Sequence, residues 1–163
     1  MRAVPDRWVA PFTLTTAVAA AVMGGVFFAF STFVMHGLGR ATPAQGMAAM
    51  QGINRSAPTP LFMIGLFGTA LASIVLGVTS LSRLDSAAGW WRLAGAVAYM
   101  VPIVLTAVYH VPRNDALDAV AIDAPEAARV WATYLREWTT WNHVRTVGAI
   151  AAAVAFTVAE RVG

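Results

Sequence analysis

The sequence predicts an all-α integral membrane protein: a single transmembrane domain, 1–163, folded as a four-helix bundle. A short interfacial helix is expected after the first span and an extramembrane helix before the fourth. Residues 8–39, 56–82, 93–112 and 146–159 contain no Asp, Glu, Lys or Arg. The chain is 58% hydrophobic and 12% charged, whereas soluble domains carry about 25% charged residues. Its mean hydropathy is +0.65. A helix needs roughly 20 predominantly apolar residues to cross a bilayer. Three of the windows meet that length, and the fourth does so if its helix starts near Trp141. With so much of the chain committed to spans, there is room for one bundle and not two domains.

Span 1 is expected at about 12–35, with Gly24 and Gly25 offering a close helix approach and a candidate homodimer contact. The connection 36–59 contains Met47, Met50 and Ile53 near one helical face, which predicts the short interfacial helix. Thr59-Pro60 reads as an N-cap followed by Pro at the first helical position, opening span 2 at 60–81. Gly65, Gly68 and Ala72 form a small-residue stripe expected to be a packing seam. Trp90 and Trp91 belong to an interfacial belt ahead of span 3, 92–111, in which Pro102 predicts a kink. Pro112 disfavours helix at Val111, so span 3 is expected to end there. A helix over 125–138 then leads into span 4, 141–160.

Composition excludes several classes of function. All eleven basic residues are Arg and are scattered singly, so the basic balance does not indicate nucleic-acid binding. Cysteine is absent, which removes disulfides, thiol redox chemistry and thiolate metal sites. Arg2, Arg7 and the run after them resemble a signal peptide, but the apolar run from Pro11 to Met35 is too long for an h-region. It reads as an uncleaved first span. The positive-inside rule places both termini in the cytoplasm.

In a four-span protein the first and third connections emerge on the same side. One rim therefore collects Asn54-Arg55 and everything from Tyr109 to Arg145. The other carries a solvated set that includes Arg2, Arg7, Arg83, Arg92 and Glu160. Two constellations face the first rim: Tyr109-His110-Val111-Pro112-Arg113-Asn114 and Trp138-Thr139-Thr140-Trp141-Asn142-His143-Val144-Arg145. Tyr134, Trp138, Trp141 and Arg145 are spaced along one helical face, with Asn142 close to it. An aromatic wall with an amide and a guanidinium at its deep end suits a flat, oxygenated ring. Each residue also has a plainer role: Trp and Tyr as belt residues, Arg145 snorkelling to headgroups, and the His and Asn residues as structural hydrogen-bond partners. Their coincidence beside apolar spans, where ionisable groups are costly, favours function. His36 lies at the same rim, so a metal or haem held by His110, His143 and His36 is the competing reading. No carboxylate falls within a span, and no local ligand motif is present.

The runs FSTFVMHGL (30–38), MQGINRSAPTPLF (50–62), YHVPRNDAL (109–117) and YLREWTTWNHVRT (134–146) resemble the anthrone oxygenase family of small four-span membrane proteins. The resemblance touches all four spans, and its specific parts are YHVPRND and WNHVRT. It implies oxidation of an anthrone or related polycyclic phenol to a quinone by dioxygen, without an organic cofactor, in a bacterial cytoplasmic membrane. His36 departs from the family pattern, in which Pro is expected. Anthrones are acidic at the methylene opposite the carbonyl, and their carbanion can reduce dioxygen directly. Such a site needs a base of near-neutral pKa, which suits His110 or His143. It also needs donors for the oxyanion, which suit Asn142, Asn114 and Arg145. Trp138 and Trp141 are expected to stack the ring, with Tyr134, Tyr109, Asn54, Arg55 and Arg113 as further substrate contacts. A bundle that binds or transports a hydrophobic small molecule, and a haem or copper redox protein using His110 and His143, are the alternatives.

Overall fold

The computed structural model describes residues 6–163; Arg2 lies outside them. Among the described residues, four helices are long and apolar enough to cross a membrane: α1 (Val9–Arg40), α3 (Pro60–Arg83), α4 (Ala87–Asp118) and α5 (Ala127–Arg161). A fifth helix, α2 (Pro43–Ser56), connects the first two spans. No strand is present among the described residues. The outward faces are apolar, with Leu14, Val22, Leu71, Val97, Val147 and Val154 all exposed. Polar side chains such as Thr13, Ser73, Asn142 and Arg145 are buried. This arrangement is what lipid demands, and the protein is an integral membrane protein.

Local signals set the helix starts. Thr42 caps α2 in a reciprocal capping box with Gln45, with Pro43 at the first turn. Thr59 accepts from the Phe62 N–H, with Pro60 following, as the sequence predicts. Ser86 caps α4 through the Gly89 N–H. Hydroxyls inside α1 return to their own helix, Thr13 to the Val9 carbonyl and Thr16 to that of Phe12, so they enter the apolar phase without an open donor.

The interior divides into two clusters. One, in the spans, joins Ala20, Met23, Phe27, Leu66, Tyr99 and Phe156. The other joins Met35, Met47, Met50, Leu117, Trp131 and Trp138, and seats α2 against α4 and α5. The two methionines expected on one face of α2 are both fully buried. Gln51 Nε2 adds hydrogen bonds to the carbonyls of Leu117 (2.9 Å) and Val120 (3.0 Å), which satisfy acceptors at the end of α4.

Helix α5 lies between α1 and α4, and glycines bring the backbones together. A Cβ added at Gly95 would sit 2.7 Å from the Phe156 ring, one at Gly77 2.8 Å from Ala96, and one at Gly24 3.1 Å from Ile150. Gly24 therefore serves packing within this chain, while Gly25 has nothing within 4 Å. The expected seam on span 2 differs. Gly68 is exposed, and the buried line runs through Leu66, Thr69, Ala70, Ser73, Leu76 and Gly77. A π turn at Ile64–Gly68 widens the helix there and shifts the residues on either side out of the simple 3.6-residue phase.

Span 3 also differs from expectation. It does not stop at Val111 but continues to Asp118. A π turn at Thr106–His110 precedes Pro112, which falls in the first turn of the α-helical segment that follows. That is where a missing N–H costs least. A third π turn, Phe30–Val34, interrupts α1.

Close packing at Gly95 gives a direct expectation. Gly95→Leu should destabilise the bundle by about 1–3 kcal/mol through overpacking, seen as a lower Tm in detergent. Gly25→Leu, which meets open space, should leave the Tm unchanged.

Candidate active site

Two of the π turns face α5 and supply its polar partners. Asn142 is fully buried. Its amide nitrogen donates to the Phe27 carbonyl and to Ser31 Oγ, both at 2.8 Å. Its oxygen accepts from Arg145 Nε (3.1 Å) and Nη2 (2.7 Å). Thr146 donates to the Asn142 carbonyl and lies 3.0 Å from Ser31 Oγ. Arg145 Nη1 donates to Thr106 Oγ1 at 3.2 Å, and Thr106 Oγ1 donates to the Pro102 carbonyl. Ser31 and Thr106 each belong to a π turn. The network ties α1, α4 and α5 at one depth.

Arg145 is buried and pairs with no carboxylate among the described residues. Its guanidinium lies between two rings instead, 4.7 Å from the Phe27 centroid and 5.0 Å from that of Trp138. A guanidinium has five N–H donors; three are engaged here, leaving two. The cation is thus surrounded by neutral partners and aromatic faces, a costly state for a charge in an apolar bundle.

Arg145 forms part of the wall of a cavity of about 620 Å³, within the range of small-molecule sites. Phe27, Phe30, Met63 and Leu66 supply apolar wall, and Asn54, Thr106, His110, Asn114, Asp115, Asp118 and Trp138 supply the polar side. His110 is buried, and its Nδ1 is 3.1 Å from the Leu105 carbonyl. A carbonyl only accepts, so Nδ1 carries the hydrogen and Nε2 holds the lone pair of the neutral ring. Nε2 has no partner. The ring stands edge-on to Trp138 at 5.0 Å. Asn114 accepts through Oδ1 from Tyr134 OH (2.8 Å) and Trp138 Nε1 (3.0 Å). That fixes both aromatic rings and leaves its NH₂ uncommitted on the cavity wall.

The remaining sequence candidates divide. Asn54 lines this cavity. Arg55 is exposed and pairs with Asp118 at 3.7 Å. Tyr134 is buried in a stack with Trp131 and Trp138 and acts through Asn114. Tyr109 and Arg113 lie on the outer side of α4. Arg113 covers the Tyr109 ring at 5.1 Å and pairs with Glu137 at 3.3 Å. Trp141 packs on Tyr109 at 5.3 Å but is 42% exposed, so it does not share the inward face of Trp138 and Arg145. The buried face runs Trp131, Tyr134, Trp138, Asn142, Arg145.

Three expectations need correction. His143 is exposed, one step around the helix from buried Asn142, and does not meet His110. His36 is also exposed, at a separate surface depression beside Arg40 and Leu135. The three histidines therefore do not assemble a common ligand set, and among the described residues no group of three or more His, Cys, Asp or Glu could hold a metal ion. Both N–H groups of Asn142 are engaged within the protein, which leaves none for an oxyanion. Its oxygen holds the Arg145 guanidinium. Sequence reasoning passed over Thr106, Ser31 and Phe27, which hold the network, and Asp118 and Glu137. Ser, Thr and Phe are ordinary within spans, and only the fold distinguishes these.

Fold and site define a class: a four-span helical membrane protein with an apolar cavity, a buried unpaired cation and a buried histidine. The family model described as anthrone oxygenase matches residues 59–155, more than half of the chain. The chain belongs to the anthrone oxygenase family. The matched region contains Thr106, His110, Asn114, Trp138, Asn142 and Arg145, while Ser31 and Asn54 lie before it. No curated protein and no solved structure matches.

Asn142→Ala should leave buried donors and acceptors open on α1 and on Arg145. Each such group costs about 1–3 kcal/mol, so the variant's thermal unfolding in detergent should shift down by at least one such increment.

Proposed function

We propose that the protein is a membrane oxygenase that converts an anthrone, or a related polycyclic phenol, to the quinone with dioxygen and no organic cofactor. The observation that carries the reading is the pairing, on one apolar cavity, of Arg145 without a carboxylate partner and His110 with a free Nε2. Family membership supports the same chemistry.

The substrate's methylene is acidic because its anion spreads onto the carbonyl oxygen as a phenolate. His110 Nε2 takes the first methylene proton. The two uncommitted N–H groups of Arg145, with the Asn114 amide, stabilise the oxyanion. Water-poor surroundings make these charge-assisted bonds stronger than in bulk solvent. The anion gives one electron to dioxygen, and the resulting radicals join at the former methylene carbon. The peroxide formed is protonated by the histidinium. Loss of the remaining hydrogen on that carbon, as a proton to His110, breaks the O–O bond and expels hydroxide, which takes that proton. The sum is anthrone plus dioxygen giving anthraquinone plus water. Phe30, Met63 and Leu66 are the apolar wall against which the ring packs. Electron transfer is intrinsic to the anion, so the protein's work is deprotonation, charge stabilisation and orientation.

Dioxygen consumption by the purified protein with a panel of anthrones tests the reading. His110→Ala should lower the rate by about 10²–10⁴-fold, the span of a general base. Arg145→Gln should lower it by about 10²–10³-fold, the span of a lost oxyanion donor. His143→Ala should retain activity, since that side chain is outside the cavity. Full activity in folded His110→Ala, or no uptake with any anthrone, rejects the proposal.

A further inference from the structure

The outer face shared by α1 and α5 carries side chains that the proposed reaction does not use. A Cβ added at Gly24 would sit 3.1 Å from Ile150, and one at Gly39 would sit 2.8 Å from Leu135. The two helices therefore run antiparallel and touch at both levels. Between them lies an apolar groove of about 680 Å³, whose end nearest the rim is formed by Gly25, Phe28 and Ile150. Thr157, its one polar side chain, returns its hydroxyl to the Ala153 carbonyl. The groove is open at Gly25, where an added Cβ meets nothing within 4 Å.

Nearer the rim, His36, Arg40 and Arg136 line a depression of about 430 Å³ on the same two helices. Thr32 in this depression and Phe28 in the groove are one turn apart, linked by the bond from Thr32 Oγ1 to the Phe28 carbonyl. The two hollows are thus consecutive along α1. No carboxylate lines the depression. At the same rim Arg55 pairs with Asp118 and Arg113 with Glu137. Arg40 pairs with no carboxylate among the described residues. Arg136 reaches Glu137 only at 4.0 Å, and the other oxygen of that carboxylate faces Arg113 at 3.3 Å.

The dimensions match one leaflet. Gly25 lies midway along α1 (Val9–Arg40). Arg40 is fifteen residues beyond it, roughly 22 Å at 1.5 Å per residue. Half a bilayer with its headgroups measures about 20 Å. Arg40 and Arg136 each follow one residue of the Gly39–Leu135 contact, so a phosphate placed there has an acyl chain that ends where the groove opens. Basic pockets between transmembrane helices take anionic headgroups, because guanidinium and phosphate combine charge with paired hydrogen bonds.

We propose that this path between α1 and α5 holds one anionic phospholipid of the surrounding bilayer, its phosphate met by Arg40, Arg136 and His36 and one acyl chain ending against Gly25. Neither arginine belongs to the cavity of the oxygenase reading, so the lipid site stands apart from it. A zwitterionic lipid, whose own ammonium competes with the arginines, fits less well.

The test titrates the delipidated, detergent-solubilised full chain with dioleoyl phosphatidylglycerol or dioleoyl phosphatidylcholine and counts bound lipid by native mass spectrometry. An arginine at a lipid surface is worth about fivefold in affinity for an anionic lipid. With two of them, the wild type should hold one phosphatidylglycerol in preference to phosphatidylcholine by more than about tenfold. Arg40→Gln and Arg136→Gln should each lower that preference about fivefold, whereas Arg161→Gln, at the opposite rim, should not. All three side chains are exposed, so these variants keep the fold. Gly25→Leu should weaken both lipids by the same factor and leave the preference intact. Equal retention of the two lipids, binding of neither, or a ladder of successive adducts of equal strength (annular lipid only) overturns the site. A full preference in the double arginine variant, or unchanged affinity in Gly25→Leu, does the same. So does a lipid-free dimer that Gly25→Leu converts to monomer, which gives the groove to a second copy of this chain.

Discussion

A guanidinium held in an apolar bundle without a carboxylate governs the structure. Moving an ion out of water is costly unless it is hydrogen-bonded and its charge is met. Arg145 meets the first demand through Asn142 and Thr106 and the second only in part, through the faces of Phe27 and Trp138. Asn142 is the pivot. Its oxygen faces the cation and its nitrogen joins α1, so one side chain both binds helices and aims a charge. The π turns follow from the same demand. Those at Phe30–Val34 and Thr106–His110 contain Ser31, Thr106 and His110, and such turns recur where a helix must re-aim side chains at a working site.

This arrangement makes the cavity apolar on one side and polar on the other. Apolar wall comes from α1 and α3, while α4 and α5 bring His110, Asn114 and Arg145. Asn114 fixes Tyr134 and Trp138 through a single oxygen. The outer cluster of Tyr109, Arg113, Glu137 and Trp141 braces α4 on α5 from the other side. Residues that seemed interchangeable members of an aromatic rim thus have separate duties, set by which side of the α4–α5 contact they occupy.

Much of this was legible before any coordinates. Length and hydropathy located the four spans. Thr59-Pro60 and the Met47/Met50 face placed the starts of α3 and the burial of α2. Asn142, Arg145 and His110, singled out beside apolar windows, are all buried, and the last two line one cavity. The misreadings were of two physical kinds. Trp141 was assigned to a face by spacing and His143 to the site by its place at the rim, but spacing fixes only relative angles; the packing of α5 between α1 and α4 sets which angle points inward. Gly68 failed because a π turn breaks the 3.6-residue phase on which that inference relied, and the expected stop at Val111 because the π turn at Thr106–His110 lets Pro112 fall in a first helical turn.

The sequence by itself determined that the chain lies in lipid, because that depends on the summed transfer free energy of contiguous residues. It also determined where helices begin, because caps act over three or four positions. The absence of Cys excluded thiol chemistry. Tertiary structure alone decided that His110 and not His143 reaches the cavity, and that Asn142 spends both its donors on α1. It alone joined Asn54 and Asp118, 64 positions apart, to the same hollow. Those outcomes depend on helix rotation and on partners distant in sequence, and no local pattern encodes either.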